Sequence, residues 1–250
     1  MQQQTLPALL HVVTPSMAVV EHVLELGYDG VMIDLQHSEV GLDRACDMLR
    51  CIPRDHRYAY VRVPSLDDGD IGRLLDSGAT GIVAPTIETV VEAQALVSSS
   101  KYPPIGNRSL GPSRPGLYVG EDYCRAGNAA VQTIAQIETA AGVEAIDDIL
   151  EVQGLDALYI GPADLAVSYG LAGRPDWTDG PVVEAINHVV AQAKASQVPV
   201  GLYCSDPAFA AKEAARLGLD FVGLGIDLML MSKHARCTME IFKGSHEKTL

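Results

Sequence analysis

The chain has 250 residues, of which 48% are hydrophobic and 20% charged, and its formal net charge is −14. This length fits a single (β/α)8 barrel, which takes about 250 residues. The excess of acidic residues argues against a nucleic-acid partner, because phosphate neutralisation needs clustered Lys and Arg. No apolar run reaches the ~18 residues that a membrane span requires, so we expect no membrane segment.

The cysteines and the start of the chain indicate a reducing compartment. The five cysteines are odd in number and form no CxxC motif, which does not fit a disulfide scaffold. Residues 1–5 lack the basic and apolar regions of a signal peptide. We therefore expect a cytoplasmic protein.

Short apolar runs alternate with helical patterns along the whole chain. The predicted strands are residues 8–13, 30–35, 58–63, 81–85, 131–137, 157–160, 199–204 and 221–225. The predicted helices are residues 17–26, 42–51, 67–76, 88–100, 140–152, a segment from 165, 181–196, 207–217 and 228–243. An irregular stretch over 102–120 is rich in Pro, Gly and Arg, and loops of this length are usually functional or mobile.

The order of these elements predicts the fold class. The strands are continuous apolar runs rather than alternating ones, which is typical of parallel strands buried on both faces. Eight βα units then form an α/β fold, a single (β/α)8 TIM-barrel domain over residues 1–250. The alternative is a doubly wound open sheet, but it needs a glycine-rich loop after the first strand, and Thr14-Pro15-Ser16 is not one.

Polar residues follow the ends of the predicted strands, where barrel enzymes carry their chemistry. These residues are Asp34, His37, Arg62, Glu138, Asp164 and Tyr203. Each also has a simpler interpretation. The acids Glu138 and Asp164 can be N-caps of helices, Arg62 can pair with a carboxylate, Asp34 can cap a turn, and His37 can be a solvated loop residue. Their joint placement on one rim favours catalysis.

Each residue type has a chemical use at such a rim. Glu138 and Asp164 supply two oxygen ligands for a hard divalent cation, which can be chelated further by a 2-oxo acid. Backbone N–H groups of Ala163 and Asp164 at a helix start can bind the substrate carboxylate. Arg62 can stabilise an enolate oxygen, and His37 is the natural general base, since imidazole titrates near pH 6.5.

An imine mechanism is disfavoured because no lysine lies within a predicted strand. The nearest lysines, all in helical or loop stretches, are Lys101, Lys194, Lys212 and Lys233.

Several motifs taken in order resemble those of the HpcH/HpaI aldolase family, over about residues 8–239. They are Ile33-Asp34-Leu35-Gln36-His37, Val61-Arg62-Val63-Pro64, Gln136-Ile137-Glu138-Thr139 and Gly161-Pro162-Ala163-Asp164-Leu165. The stretches Tyr102-Pro103-Pro104 and Gly106-Asn107-Arg108-Ser109-Leu110-Gly111-Pro112 resemble the long loop of the 4-hydroxy-2-oxoheptanedioate aldolase-like branch.

The resemblance implies a class II, metal-dependent pyruvate aldolase that cleaves or forms 4-hydroxy-2-oxo acids. Glu138 and Asp164 are implied to bind Mg²⁺, Mn²⁺ or Co²⁺. His37 is implied to be the acid/base, with Asp76 in the position of the carboxylate that orients it. Arg62 is implied to contact the keto oxygen.

The resemblance also implies the remaining contacts and the assembly. The small-molecule substrates are a 2-oxo acid and an aldehyde, and the implied substrate-binding residues are Arg62, Gln136, Gly161, Pro162, Ala163, Asp164 and Tyr203. Family members are commonly hexamers, trimers of dimers that exchange the last helix, here residues 228–243. Two positions depart from the pattern: Gln36-His37-Ser38 replaces the usual Glu and Gly neighbours, and Tyr203 stands where an aliphatic residue is common.

Three alternative functions stay open at this point. A citramalyl- or malyl-CoA-type lyase needs a basic surface for the CoA phosphates, which this acidic chain does not favour. A phosphosugar isomerase or epimerase needs a phosphate loop, and Ser205-Asp206-Pro207 lacks glycine. A non-catalytic metabolite-binding barrel would not require the acids, the His and the Arg together.

Overall fold

Eight parallel strands close into one barrel, with each strand paired to its sequence neighbours and the first paired to the last. The computed structural model describes residues 6–53, 58–111 and 123–247, with side chains up to residue 244. The strands are β1 (Ala8–Val12), β2 (Gly30–Asp34), β3 (Tyr58–Arg62), β4 (Gly81–Ala84), β5 (Gln132–Ile137), β6 (Ala157–Ile160), β7 (Val200–Cys204) and β8 (Phe221–Ile226). The predicted TIM barrel is confirmed, and the open-sheet alternative is wrong.

Helices connect the strands and cover the barrel. They are α1 (Met17–Glu25), α2 (Leu42–Cys51), α3 (Asp68–Ser77), α4 (Val90–Ser100), α5 (Tyr123–Ala130), α6 (Ala140–Glu144), α7 (Ile146–Leu150), α8 (Pro162–Ser168), α9 (Pro181–Ala195), α10 (Pro207–Leu217) and α11 (Asp227–Glu247). Of the irregular stretch 102–120, residues 112–120 lie outside the described part.

Three predicted helices have markedly different bounds in the structure. The last helix, expected over 228–243, spans Asp227–Glu247. The helix expected over 140–152 consists of α6 and α7, which meet at Ala145. The helix expected from residue 165 begins three residues earlier, at Pro162. Proline suits the first helical position, because its fixed φ is helical and its missing N–H has no partner there in any case. Asp164 therefore lies in the first turn of α8.

The barrel contains two hydrophobic layers. Residues facing outward from the strands pack against the helices in one large cluster. A smaller cluster fills the lower barrel interior and consists of Leu9, Met32, Tyr60, Val83, Ile134, Ala157, Tyr159 and Phe221. The ring of Tyr159 stacks on that of Phe221 at a centroid distance of 5.7 Å. The residues at the carboxyl end of the barrel rest on this apolar layer.

The inward positions become polar at the carboxyl end of the barrel. Strand side chains alternate between the two faces, so residues two apart share a face. Two residues after four members of the inner layer, Leu9, Met32, Tyr60 and Ile134, come buried polar residues. They are His11 on β1, Asp34 on β2, Arg62 on β3 and Gln136 on β5. Along each of these strands, the hydrophobic floor and the buried polar rim are therefore only two residues apart.

Helix α11 is different from the other helices because every residue from Leu228 to Gly244 is exposed. It carries large apolar side chains on its surface, including Leu228, Met229, Leu230 and Met231, which are 41–65% exposed. Within the described part of the chain, no helix has the length and apolar character needed to cross a bilayer.

Candidate functional site

A buried ion pair lies at the carboxyl end of β2 and β3. Asp34 and Arg62 are partners in the strand register. Arg62 donates from Nε to Asp34 Oδ1 (3.0 Å) and from Nη2 to Oδ2 (2.6 Å). Burial raises the pKa of Asp34, but the hydrogen bonds and charge of Arg62 outweigh it, and the net pKa lies below the ordinary value. The pair fixes a planar guanidinium whose remaining N–H groups are available to a ligand.

The same carboxylate fixes the loop that carries His37. Asp34 Oδ1 accepts hydrogen bonds from the backbone N–H of Gln36 (2.9 Å) and His37 (3.3 Å). Ser38 Oγ donates to the carbonyl of Asp34 and accepts from the N–H of Val40. Asp34 therefore caps a turn, as one sequence interpretation had it, and it also positions Arg62 and the backbone of His37.

Glu138 is a buried carboxylate with a dedicated set of donors. Its Oε1 accepts from the backbone N–H (2.8 Å) and Oγ1 (2.9 Å) of Thr86, and its Oε2 accepts from Gln136 Nε2. Thr86 adopts a left-handed conformation, φ 52°, to make this contact, a strain that functional sites commonly hold. Burial raises the pKa of Glu138 and the nearby charge of Asp164 adds to this, while the hydrogen bonds from Thr86 and Gln136 oppose it.

The turn from β6 into α8 brings a second carboxylate to Glu138. Gly161 is the N-cap of α8, and a Cβ atom there would lie 2.5 Å from Glu138 Oε2 and 3.0 Å from Gln136 Nε2. A glycine is therefore required by close approach. Asp164 follows in the first turn and is exposed. The interpretation of both acids as N-caps is wrong, because the caps are Thr139 for α6 and Gly161 for α8.

Aromatic and imidazole groups form the floor of the site. His11 Nε2 lies 2.8 Å from the hydroxyl of Tyr159, and its ring packs edge-on against Tyr203 at 5.1 Å. Burial, with the charge of Arg62, lowers the pKa of His11 to about 3. Burial raises the pKa of Tyr203 to about 12. The floor is thus uncharged at neutral pH, and Arg62 is the cation beside it.

These residues enclose one small cavity of about 140 Å³. Its lining residues are His11, His37, Arg62, Gln136, Tyr159, Gly161, Pro162, Ala163, Asp164, Tyr203 and Ile226. At about 30 Å³ per water-sized unit, this volume corresponds to about five such units, so the cavity fits only a small molecule. Among residues 6–53, 58–111 and 123–247 there is no group of three or more His, Cys, Asp or Glu placed to hold a metal ion. Besides Asp34, which pairs with Arg62, the acidic groups near the cavity in this part of the chain are Glu138 and Asp164.

The structure brings together all but one of the residues predicted for the site. Arg62, His37, Asp164 and the predicted substrate-binding residues line the cavity, and Glu138 lies directly behind Gly161. Asp76 is the exception. It lies near the end of α3 and accepts a hydrogen bond from Arg108 Nη2 (2.6 Å).

The position of Asp76 follows from the topology. Helices of this fold run antiparallel to the strands, so the end of α3 lies at the amino end of the barrel, whereas His37 follows the carboxyl end of β2. Within one chain Asp76 does not reach His37, and the expected orienting contact is not formed there. Such a contact would require a second copy of the chain.

Several residues that were not predicted as site residues belong to the cavity region, among them Tyr159 and Ile226 in its lining. His11 and Thr86 are two further examples. His11 lies inside the apolar run of β1, and its alternation with Leu9 is the signal that places it inward. Thr86 follows β4, and no sequence signal indicates a left-handed threonine. None of the described residues that line the cavity is a lysine, and the buried Lys101 pairs with Asp156 at 2.7 Å, near the amino ends of β5 and β6.

The buried His11 gives a testable dependence of stability on pH. Its folded pKa is about 3, against about 6.5 in the unfolded chain, so between these values the unfolded state binds the extra proton. Stability must therefore fall as pH drops below 6.5. We expect a loss of about 2 kcal/mol from this group between pH 7 and pH 5.

The measurement is urea unfolding at pH 7, 6 and 5 in metal-free buffer for wild type and His11→Gln. The variant should lack this part of the pH dependence, whereas His22→Gln, an exposed histidine on α1, should retain it. An unchanged slope in His11→Gln would contradict the buried, neutral state of His11.

Gly161 gives a second prediction. In Gly161→Ala the added methyl group would displace the Glu138 carboxylate, from which it would lie 2.5 Å. A divalent cation held by Glu138 would then bind about 10- to 100-fold more weakly, the usual effect of disturbing the support of a metal ligand, and Mn²⁺ is the test ion. Calorimetric titration with Mn²⁺ measures it. Gly72→Ala on α3 is the control, because nothing lies within 4 Å of a Cβ at that position.

Fold and cavity together define the class of protein: a TIM barrel with a buried arginine, two adjacent acids and a histidine at the carboxyl end, where barrel enzymes have their active sites. The HpcH/HpaI aldolase/citrate lyase family matches residues 8–234, and the chain belongs to this family. It is therefore an enzyme, a lyase of the aldolase type.

Individual relatives agree with this assignment. A hydroxypyruvate/pyruvate aldolase from Rhizorhabdus wittichii is 40% identical over 231 residues, which cover 92% of this chain and 88% of that protein. A 4-hydroxy-2-oxovalerate aldolase from Novosphingobium aromaticivorans is 36% identical, covering 84% and 79%. The crystal structure of an HpcH/HpaI aldolase from Desulfitobacterium hafniense is similar with a TM-score of 0.88 at 26% identity, covering 96% and 93%.

Proposed function

We propose that this chain is a divalent-metal-dependent aldolase that cleaves or forms 4-hydroxy-2-oxo acids through the enolate of pyruvate or of a close 2-oxo acid. The observation that carries the proposal is the meeting of two acids, Glu138 and Asp164, with the fixed guanidinium of Arg62 around a cavity of about 140 Å³. The named activities of the relatives, which include pyruvate and hydroxy-oxo-acid aldolases, support it.

The residues present fit a hard divalent cation. Glu138 and Asp164 are close enough for the charge of one to raise the pKa of the other, and an ion between them would relieve this repulsion. Gln136 Oε1 is buried and has no hydrogen-bond partner in the described residues. The site therefore contains a polar oxygen that a bound ion or ligand would satisfy. Two carboxylates leave open positions for water and a chelating oxo acid. Bound there, Mg²⁺, Mn²⁺ or Co²⁺ would supply Lewis acidity.

Arg62 is proposed to stabilise the negative charge that develops on the enolate. Its bidentate pairing with Asp34 uses two of five N–H donors, which leaves three for substrate. The guanidinium is held in place before the reaction, so no reorganisation is needed when charge develops. The backbone N–H groups of Ala163 and Asp164, which have no acceptor within α8, are proposed to bind the substrate carboxylate.

His37 is proposed as the general base and acid. In the cleavage direction it takes the proton of the C4 hydroxyl group, and the C3–C4 bond breaks to give the aldehyde and the enolate. The electron pair of that bond remains on the enolate, which then takes a proton at C3 to give the 2-oxo acid. His37 is exposed and lines the cavity, so it can exchange protons with solvent between turnovers.

A phosphosugar isomerase is a weaker proposal. A phosphate loop after β7 would need free N–H groups, but those of Ser205 and Asp206 both donate to the carboxylate of Asp176 at 3.0 Å. This carboxylate occupies the position of an anion and would repel another one.

The experiment is the release of pyruvate from a racemic 4-hydroxy-2-oxo acid, with and without EDTA, and then with Mg²⁺ or Mn²⁺ restored. We expect EDTA to stop release and the metal to restore it. Metal-dependent deuterium exchange at the pyruvate methyl group tests enolisation alone. Absence of both activities with every metal would refute the proposed function.

We further propose that the enzyme is a cytoplasmic homo-oligomer, a hexamer built as a trimer of dimers. The exposed apolar surface of α11, with Met229, Leu230 and Met231, supports it, because such surfaces mark interaction sites. Native mass spectrometry of wild type and Leu230→Asp is the test. A monomeric wild type would contradict it.

A further inference from the structure

A hydrogen-bonded pair at the floor of the small cavity has no role in the proposed function, on which the following inference rests. The contacts proposed above account for most of the lining. The turn 161–164 serves the carboxylate and the ion, Arg62 and Gln136 serve the keto oxygen and the ion, and His37 serves the C4 hydroxyl group. The part of the donor that is left is C3, and the part of the lining that is left is His11, Tyr159, Tyr203 and Ile226.

The imidazole of His11 is held in one orientation. Its Nε2 lies 2.8 Å from Tyr159 Oη, and its ring packs edge-on against Tyr203 at a centroid distance of 5.1 Å. Strand β8 leaves room for the pair, because a Cβ atom at Gly223 would overlap Tyr159 Oη and lie 3.0 Å from His11 Nε2. All of these groups belong to the barrel interior of one chain, so the chain itself sets their geometry.

The second ring nitrogen of His11 faces the cavity. The residue is 3% exposed and lines the cavity. Nδ1 makes no hydrogen bond within the described residues, and it is not one of the fully buried polar atoms that lack a partner. The small accessible part of the side chain therefore includes Nδ1, and the cavity is the space that it reaches.

A hydroxyl group is the ligand group that suits this nitrogen. In a neutral imidazole Nδ1 is a donor when Tyr159 donates to Nε2, and an acceptor when Tyr159 accepts from Nε2. A hydroxyl group both donates and accepts, so it can pair with Nδ1 in either case. A methyl group in the same place would leave a buried polar atom without a partner, which costs free energy.

We propose that His11 is a specificity-determining residue for the donor, and that the cavity selects 2-oxo acids with a hydroxyl group on C3 over those with a methyl group there. Tyr159 is the positioning residue that fixes the imidazole. The reaction is unchanged, because the same C3–C4 bond forms or breaks and the C3 hydroxyl group takes no part in it.

The test measures deuterium exchange at C3 with Mn²⁺ and without any aldehyde, so that no acceptor preference enters. The two donors are hydroxypyruvate and 2-oxobutanoate, whose C3 substituents are a hydroxyl and a methyl group of similar size. The ratio of their kcat/KM values is compared between variants, because the intrinsic reactivity of each donor then cancels. His11→Phe keeps an aromatic ring and removes its nitrogens, and we expect it to lower the hydroxypyruvate-to-2-oxobutanoate ratio by about tenfold or more.

Further variants keep the test decisive if His11→Phe is unstable. His11→Phe combined with Tyr159→Phe leaves no hydroxyl group of the pair unsatisfied and should show the same low ratio. His11→Asn places an amide where Nδ1 now lies and should keep most of the preference. His22→Phe is the matched control at an exposed histidine on α1 and should leave the ratio unchanged.

The outcomes separate the donor assignment from the proposed function. Exchange with a ratio that neither His11→Phe nor the double variant changes would overturn the donor assignment alone. Absence of exchange with pyruvate, hydroxypyruvate and 2-oxobutanoate, in the presence of Mg²⁺, Mn²⁺ or Co²⁺, would overturn the proposed function and the donor assignment with it.

Discussion

Glu138→Gln is expected to lower turnover by about a thousandfold, the loss of roughly 4 kcal/mol of transition-state stabilisation. The amide keeps the size of the carboxylate and so avoids a cavity. It removes one of the two negative charges that the chain offers a divalent cation, and it places an N–H group where Thr86 or Gln136 now donates.

The same change should not destabilise the fold by its charge. The pKa of Glu138 is raised by burial and by Asp164, so the folded state resists ionisation of this group, and a neutral side chain removes that cost. We therefore expect Glu138→Gln to lose much of the activity while its melting temperature is unchanged or higher. This combination is typical of active-site residues that reduce the stability of the fold.

Turnover with saturating Mn²⁺, Mn²⁺ titration and thermal unfolding are the three measurements. Glu213→Gln is a matched control, because Glu213 is also buried but pairs with Arg216 on α10, away from the cavity. A Glu138→Gln enzyme within about tenfold of wild-type turnover would contradict the assignment of Glu138 as a metal ligand.

Arg62→Ala is expected to have two separable effects. Loss of the donor to the enolate should reduce kcat by about 10²- to 10³-fold, as for other preorganised donors. Loss of the partner of Asp34 should cost about 3–5 kcal/mol of stability, because it leaves a buried carboxylate without compensation. Metal affinity should change less than kcat, since Arg62 donates no described hydrogen bond to Glu138 or Asp164 and its charge is only a minor influence on the pKa of Glu138.

A double variant distinguishes the two effects. Asp34→Ala combined with Arg62→Ala removes both charges, so much of the stability should return while activity remains low. Urea unfolding and steady-state turnover of the two single variants and the double variant complete the cycle. An Arg62→Ala enzyme that is destabilised and yet turns over at the wild-type rate would leave Arg62 as a structural partner of Asp34 only.

The sequence predicts the barrel well because its strands carry a simple signal. A parallel strand covered on both faces must be apolar along its length, and eight such runs were recognisable. The placement of Arg62, Glu138, Asp164 and His37 on one rim is predictable for a related reason. Each is a polar residue at or just past the end of such a run, where the barrel brings all strand ends together.

Other features depend on information that a single sequence does not hold. The pairing of Asp34 with Arg62 depends on the register of β2 and β3. His11 is hidden within an apolar run, and the left-handed Thr86 is imposed by tertiary contacts. The expected pairing of Asp76 with His37 came from family resemblance, and a sequence does not say whether two such residues meet within one chain.

The anchoring of the β2–α2 loop has a consequence for how such an enzyme diversifies. Asp34 holds the loop through backbone N–H groups, which every residue type except proline provides. The side chains at 36 and 39 are therefore free to vary without loosening the arginine or the histidine beside them. Because backbone hydrogen bonds hold this loop, point substitutions in it can change the substrate while the reaction stays the same. The loop is therefore a suitable starting point for laboratory evolution.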